Sequence, residues 1–453
     1  MKKLIYLSIA LLTASAFCSC NNEEEDIFGQ SAAERLEAAR TEYSQVLTAN
    51  GGKWLMEYFA NTNEQGYAFV VTFNANGAVT VSGNNEWIKG FKCDTSLWDI
   101  VLDYGPVLTF NTYNKVLHVM SDPADIIGGP VNDLTGSEIN ETGTGHGGDY
   151  EFILMGKTET SGDALRLKGK KRGYTTWITP LAADADDQAI LAEYAGASAK
   201  MFNSKISPFY MTYDNGERFV MTTDGKGKFS FYPEAGDAIT QTLTYNAIMT
   251  PNGVRFMQPI EILRANGETI EIEEFELDDK MQLVGEYNSH SYYMNAGVPA
   301  EIFTRVALSW SAAKKEGNYG GEVATIMQNM TDEALNAFKP KKVEVKGFEF
   351  SYDANKKMYV LSLNMSQISN VKFYGQEVAN EDGTVSFAFA TDENVDYSAN
   401  GKNVFNKVAS VKTLMDYLTN TTFVLSVESA MNPKDIKFTN AANAEDFFTV
   451  SLK

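Results

Sequence analysis

The feature that most constrains this chain is a change of hydrophobic period at Trp54. Before it, Leu36, Ala39, Tyr43, Val46 and Leu47 recur at helical spacing, behind a capping box of Ser31 and Glu34 and ahead of an Asn50-Gly51-Gly52 stop. From residue 54 to about 181 the period becomes two. The runs 67–73 and 78–82 flank Asn74-Ala75-Asn76-Gly77 and read as a hairpin, followed by strand-like runs at 107–112, 116–120, 150–156, 164–168 and 175–180. Short, evenly spaced strands with Gly/Asn turns predict an antiparallel barrel or sandwich.

Beyond this segment, 182–202 is Ala-rich with Asp184, Asp186 and Asp187 at its front, which predicts a connecting helix with acidic N-terminal residues. Strand patterns return at 209–213, 217–222, 228–232, 241–248, 253–260, 269–275 and 281–286. The stretch 300–345 is helical and loop-like, with Thr331 and Glu333 starting a short helix that Pro340 ends. From 343 the chain is again β-rich, with a helical turn or two at 411–418. The expected fold class is mainly β with minor α: an antiparallel lipocalin-like barrel or sandwich domain followed by further β-rich modules. The borders read as 1–19 leader, 20–30 acidic tether, 31–50 helix, 51–185 barrel-like domain, 186–300 second β-rich domain and 301–453 helical connector with a third β-rich module.

The two β segments are alike in outline. Asn74-Ala75-Asn76-Gly77 compares with Thr223-Asp224-Gly225-Lys226-Gly227, 107–110 with 253–256, and 165–169 with 281–285. This suggests a degenerate internal duplication. Two unrelated meandering sheets would share such spacing as well.

The N-terminus reads as a targeting segment. Lys2 and Lys3 precede an apolar run from Leu4 to Phe17, about 14 residues, too short for a bilayer span of roughly 20. Cys18-Ser19-Cys20 and an acidic run, Glu23-Glu24-Glu25-Asp26, follow. A small residue before a Cys after an apolar run resembles a bacterial lipobox. Cys20 is the candidate for lipidation, since small Ser19 precedes it, whereas bulky Phe17 precedes Cys18. Several acyl chains on Cys20 would anchor the protein stably in a lipid bilayer; the alternative is a plain secretory signal. Cleavage before Cys20 leaves 434 residues and, with Lys2 and Lys3 lost, moves the formal charge from −21 to −23. An acylated Cys20 leaves Cys93 without a disulfide partner, and Cys93 reads as a small buried apolar residue.

Composition excludes several classes. With 44% apolar and 21% charged residues the chain is neither disordered, collagenous nor a coiled coil. With 38 Lys and Arg against 59 Asp and Glu it lacks the basic face that nucleic-acid binding needs. The histidines His118, His146 and His290 form no local metal-ligand pair. Gly143-Thr144-Gly145-His146-Gly147-Gly148 mimics a phosphate loop without its Lys-Ser/Thr, and falls within a long glycine-rich loop over 128–148. Asp392, Asn394 and Asp396 have calcium-loop alternation, but Tyr397 stands where the Gly belongs and Asn403 where the Glu belongs. No nucleophile elbow or Cys/His pair is found, and no cofactor is implied. Binding is therefore the favoured class over catalysis. Aromatics make up 12% of the chain. Trp87, Trp98, Tyr113, Trp177, His290 and Tyr292, with Trp310, Tyr287 and Tyr293 beside them, are candidate faces for sugars or other flat ligands. Ser289-His290-Ser291-Tyr292-Tyr293 reads as a recognition loop or the start of a strand.

A further set of segments is Trp54 to Phe59, Gly105 to Asn114, Ser121-Asp122-Pro123, Gly148-Asp149-Tyr150-Glu151-Phe152 and Leu167-Lys168-Gly169-Lys170-Lys171-Arg172. The set resembles a Bacteroidetes lipoprotein family classified only as a domain of unknown function. The resemblance implies a surface-exposed outer-membrane location and association with nutrient importers of the SusC/SusD type, with a glycan or peptide ligand. A weaker likeness is to lipocalin-like barrels. Gly52-Lys53-Trp54 stands where those folds place a Gly-x-Trp, and the likeness implies that Arg172 packs on Trp54. It also implies a second reading, a carrier of a small apolar molecule; a structural or adhesive surface protein is a third, and a hydrolase using a carboxylate pair a fourth.

Overall fold

The computed structural model describes residues 30–121, 146–157, 163–213, 218–234, 242–264, 266–392 and 394–453. The leader, Cys20, nearly all of the acidic tether and most of the glycine-rich stretch lie outside the described residues. The chain divides into two compact units, residues 1–61 with 68–188, and residues 62–67 with 189–453.

The first unit opens with helix α1 (Ala32–Thr48). Ser31 Oγ accepts the Glu34 amide at 3.3 Å while Glu34 Oε2 accepts the Ser31 amide at 2.9 Å, so the expected capping box is formed. Strands β1 (Lys53–Tyr58), β2 (Tyr67–Phe73), β3 (Ala78–Asn85), β4 (Gly90–Leu102), β5 (Pro106–Phe110), β6 (Glu151–Lys157), β7 (Leu165–Gly169) and β8 (Thr175–Pro180) pair in order and close into a barrel. Closure is antiparallel between β8 and β1, with Trp54 opposite Pro180 and Glu57 opposite Trp177. Alternation sends Tyr58, Phe69, Phe73, Phe110 and Phe152 inward. Their rings meet across the interior, Tyr58 on Phe69 at 5.9 Å and on Phe152 at 6.0 Å, Phe73 on Phe110 at 6.2 Å, and Phe110 on Phe152 at 6.3 Å. A carrier needs an empty interior, and this packing argues against that reading.

Trp54 does stand on the first strand, 4% exposed, and its indole N–H donates to the Leu47 carbonyl at 2.9 Å, fastening α1 to the barrel. Arg172 does not pack on it. The antiparallel register puts Trp54 beside the end of β8, whereas Arg172 precedes the start of that strand, so the two occupy opposite ends. The expected strand at 116–120 is instead a tight turn ending in a 3-10 helix (His118–Met120). Asn114 causes this: its Oδ1 accepts the amides of Val116 at 3.0 Å and Leu117 at 3.2 Å, a local bond that competes with strand pairing. Cys93 is exposed rather than buried. On β4 the even-numbered Ser96, Trp98 and Ile100 are buried, so Cys93 points outward.

Helix α2 (Asp187–Met201) follows, and in the first unit Asp187 accepts from Lys53 Nζ at 2.9 Å and Ser82 Oγ at 2.8 Å. The second unit contains β9 (Phe209–Tyr213), β10 (Arg218–Thr223), β11 (Lys228–Pro233), β12 (Leu243–Thr250), β13 (Gly253–Leu263), β14 (Thr269–Leu277), β15 (Leu283–Tyr287) and β16 (His290–Asn295), which also pair in order and close, here through β16 on β9. Each pair of alike segments noted in the sequence falls at the same place in its barrel: the turn between strands two and three, strand five, and strand seven. This barrel too is filled, with Phe256 in edge contact with Phe229 at 5.3 Å, Tyr245 at 6.3 Å and Phe275 at 6.1 Å.

The remaining elements are α3 (Pro299–Phe303), β17 (Trp310–Ala313), β18 (Tyr319–Gly320), α4 (Gly321–Ala337), β19 (Val345–Asp353), β20 (Met358–Met365), β21 (Ile368–Ala379), β22 (Val385–Ala388), β23 (Asp396–Tyr397), α5 (Ala399–Lys407), α6 (Ala409–Asn420), β24 (Phe423–Ser426), β25 (Asp435–Asn440) and β26 (Asn443–Leu452). The sheet order is β17-β19-β20-β21-β22-β24-β25-β26, and β17 also pairs with β26, so this path returns on itself. Phe303 fills the interior, touching Phe350 at 5.5 Å, Phe387 at 6.0 Å and Phe438 at 4.8 Å. Thr331 does not start a helix. It lies inside α4, where its hydroxyl donates to the Met327 carbonyl at 2.9 Å. The fold is thus mainly antiparallel β with minor α, built from successive eight-stranded rings.

Candidate aromatic site on the first barrel

Two segments of the first unit carry the aromatic side chains that the described residues bring together: 111–121 after β5, and 146–150 before β6. Asn114 anchors the first, donating through Nδ2 to the Asp94 carbonyl and Ser96 Oγ, both at 3.2 Å, besides its two amide bonds. The Gly148 amide donates to the Met120 carbonyl at 2.9 Å and joins the two segments. Gly148 is required there, because a β-carbon would lie 1.8 Å from the Tyr58 hydroxyl.

Asp149, 6% exposed, ties these segments to the β7–β8 turn. Its Oδ1 accepts the Lys171 amide at 2.8 Å and its Oδ2 the Arg172 amide at 2.9 Å, while its carbonyl accepts the Tyr58 hydroxyl at 3.1 Å. Gly169 leaves the room: a β-carbon on it would come within 2.1 Å of Asp149 Oδ2. Burial pushes the Asp149 carboxyl above its ordinary range, opposed by the two amide hydrogen bonds and the nearby cations. Lys170 bridges Asp103 at 3.4 Å and Glu151 at 3.5 Å from the same turn. Gly148-Asp149-Tyr150-Glu151-Phe152 and Leu167-Lys168-Gly169-Lys170-Lys171-Arg172 therefore meet in space.

On this frame stand three neighbouring rings, with one stacked pair and one tilted pair. His118, 5% exposed, lies 5.3 Å from Tyr113 and 5.2 Å from Tyr150, the latter nearly parallel at 28°. Its Nδ1 accepts the Asn114 amide at 3.1 Å, which places the proton of the neutral ring on Nε2. The tyrosines flanking it are open to solvent, Tyr113 at 49% and Tyr150 at 41% exposed. Trp87, in the β3–β4 turn, packs against His146 with ring centroids 4.3 Å apart, and Asn61 donates to the His146 carbonyl at 2.7 Å. Two solvent-facing phenol rings on a fixed base can take the apolar face of a sugar or another flat group. Among the described residues no group of three or more His, Cys, Asp or Glu is placed to hold a metal.

The other sequence candidates lie elsewhere. Trp177 is 3% exposed on the outer face of the barrel, against Phe59 at 6.0 Å, with the Arg166 guanidinium 5.9 Å from its ring. Tyr292 faces the interior of the second barrel at 1% exposure and is core, not a ligand platform; Trp310 is core for the same reason, at 1%. His290 is exposed at the start of β16, following a turn in which Asn288 and Ser289 have φ of 49° and 64°, so Ser289 to Tyr293 is a turn and a strand rather than a recognition loop. Trp98 is 7% exposed on the buried face of β4, with its indole N–H on the Asn74 carbonyl at 3.1 Å and its ring edge-on to Phe73 at 5.0 Å. Asp392 accepts the Asn394 amide at 2.8 Å and Asp396 pairs with Lys356 at 2.7 Å, so the calcium-like residues make local contacts of their own. Tyr150, His118 and Asp149 were not among the sequence candidates. Their signal was the clustering of short polar motifs around 105–123, 148–152 and 167–172, which marks loops but not which side chains stack.

Fold and site together define an antiparallel multi-barrel protein with an exposed aromatic platform on its first barrel. The chain belongs to the DUF4302 family, described as a domain of unknown function, which matches residues 24–279. No curated protein matches. Among solved structures, the Helicobacter pylori beta clamp bound to a DNA ligase peptide is 10% identical over 93% of this chain and 97% of that one, at a TM-score of 0.11. The same clamp in complex with 3,4-difluorobenzamide gives 10%, 93%, 97% and 0.12. Intact Ap-TbpB (N and C lobes) is 10% identical over 88% of this chain and 74% of that one, at 0.13. Superpositions this poor carry no argument.

Proposed function

We propose that this protein is a lipid-anchored outer-membrane lipoprotein, exposed at the cell surface, that binds a glycan or peptide as an accessory component of a SusC/SusD-like uptake system. The observation that carries the binding role is the Tyr113–His118–Tyr150 group. Its central ring is buried and fixed by a backbone hydrogen bond, while both outer rings stay open to solvent. What supports a binding role is that the exposed rings stand together on one fixed base, where they can cover a flat or sugar-like group. The anchor rests on the sequence Cys18-Ser19-Cys20 after the apolar run, and the acidic residues behind it suit a solvated tether. The organism group and the importer association rest on the resemblance of the quoted motifs.

Glycan-array and peptide-library binding of the mature chain tests the role. A ligand in either class that is lost when Tyr113 and Tyr150 are both changed to alanine supports it, and the class that binds decides between glycan and peptide. Absence of binding in both classes refutes it. The anchor is tested separately by palmitate labelling of Cys20→Ala, which is expected to abolish both label and membrane fractionation.

A further inference from the structure

In a ring whose strands pair in chain order, the connections after strands one, three, five and seven leave at the same end. The β3–β4 turn with Trp87, the segments carrying Tyr113 and Tyr150, and the β7–β8 turn are therefore neighbours on the first barrel. We propose that the platform's ligand is an anionic glycan, a sugar chain bearing carboxylate or sulfate groups, with the tyrosine rings on sugar faces and Lys171 and Arg172 on the charge. The proposal rests on the platform reading and names the ligand class within it.

In a chain of net charge −21, the stretch 164–183 contains no Asp or Glu, while Arg166, Lys168, Lys170, Lys171 and Arg172 fall within seven residues of it. All five are exposed. Arg166 lies 5.9 Å from the Trp177 ring, and Lys170 bridges Asp103 and Glu151. The side chains of Lys171 and Arg172 enter no ion pair among the described residues. Asp149 beside them gives both its oxygens to their backbone amides, at 2.8 and 2.9 Å, and is 6% exposed. It orders the turn, and its single charge offsets one of the two cations. The other is left in excess.

Arg172 reaches the rings. Its Nη2, Cζ and Nε lie 3.7, 3.9 and 4.0 Å from where a β-carbon on Gly147 would stand, so the guanidinium rests on the backbone of that glycine. Gly147 adjoins His146, whose ring packs on Trp87 at 4.3 Å, and precedes Tyr150 by three residues. A guanidinium fork supported in this way suits a carboxylate or sulfate held by two parallel hydrogen bonds.

An acidic peptide would meet the same cations. An extended peptide gains much of its affinity by pairing with an open sheet edge, and a closed eight-stranded ring offers none. A sugar has no such backbone to satisfy, and its apolar face suits a tyrosine ring. The net negative charge of the body repels polyanions in general, so binding of one reports cations at the contact itself, within a Debye length of about 8 Å.

The test sets matched ligands against each other on the mature chain by calorimetry: polygalacturonate against its methyl ester, and dextran sulfate against dextran, with polyglutamate as the acidic peptide. At least one anionic polysaccharide is expected to bind more than about tenfold tighter than its neutral partner. Lys171→Gln with Arg172→Gln keeps both amides for Asp149 and is expected to weaken that binding by about tenfold or more, as is Tyr113→Ala with Tyr150→Ala. The matched ligands need no variant, so the comparison holds even where a variant misfolds. Equal binding of a neutral and a charged partner, lost in the tyrosine variant, overturns the anionic assignment and leaves the platform standing. Binding that survives Lys171→Gln with Arg172→Gln overturns the proposal, as does tighter binding of polyglutamate than of either polysaccharide. No binding by any of the five overturns it as well, and the platform reading falls with it only if the wider glycan array and peptide library are also blank.

Discussion

Replacing Asp149 by alanine removes both acceptors from the Lys171 and Arg172 amides in one step. Each bond is charge-assisted, at 2.8 and 2.9 Å, and such bonds contribute about 1.5–3 kcal/mol apiece. Part of that sum is offset, because the same change relieves the cost of holding a carboxylate at 6% exposure, the cost that pushes its pKa upward. A net loss of about 3 kcal/mol follows. Asparagine keeps one oxygen but turns an NH₂ toward a backbone N–H, so Asp149→Asn is expected to lose about 2 kcal/mol. The effect is local, and hydrogen exchange is the suitable assay. Protection of the Lys171 and Arg172 amides is expected to fall about 100-fold in Asp149→Ala, and protection of the Gly148 amide with it. Unchanged protection at all three amides would show that Asp149 does not fasten the platform to the β7–β8 turn, and the account of the site would fail.

Glu377 gives a pH prediction. Burial raises its carboxyl from the ordinary 4.5 to about 7. The folded state therefore holds the proton more tightly, and stability falls as pH rises from about 4.5 to 7, then levels off. Linkage sets a ceiling of about 3 kcal/mol, and partial exposure reduces this to about 1–2. In Glu377→Gln that slope is expected to vanish in urea melts across this window; an unchanged slope assigns it to other groups. Ser31→Ala is expected to destabilise α1 by about 1 kcal/mol and raise exchange of the Glu34 amide, while leaving the barrel melt unchanged. Phe303→Ala empties the centre of the third ring and is expected to cost about 3–5 kcal/mol in denaturant melts; a loss below about 1 kcal/mol would mean the ring collapses around the gap.

Strand existence was legible because alternation is local. The hairpin around Asn74-Ala75-Asn76-Gly77 appears where the period-two runs and turn residues put it. The residues 290–294 show how much more could be read: Tyr292 and Met294 are buried and His290 is exposed, so alternation carried the inward assignment of Tyr292, but its aromatic character suggested a ligand face. Ring closure was not legible. The pairing of β17 with β26 joins residues some 140 apart, and no local pattern encodes it. The Arg172 expectation failed for a related reason, since the end of the barrel at which a residue lies follows from register. Of the site, Trp87 and Tyr113 were visible as aromatics in polar, turn-rich segments. The stacking of His118 on Tyr150 requires two loops to be brought together by Asn114 and Asp149, and that fold-dependent step leaves no trace in spacing.

Closure of β1 on β8 has a consequence for how such a barrel can be handled by evolution and in the laboratory. The chain enters and leaves through adjacent, hydrogen-bonded strands, with Trp54 opposite Pro180, so its two ends stand about 5 Å apart. The second barrel has the same property through β9 and β16. Each ring can therefore be opened at one of its hairpins and rejoined between its first and last strands as a circular permutant, without stretching the backbone across the barrel.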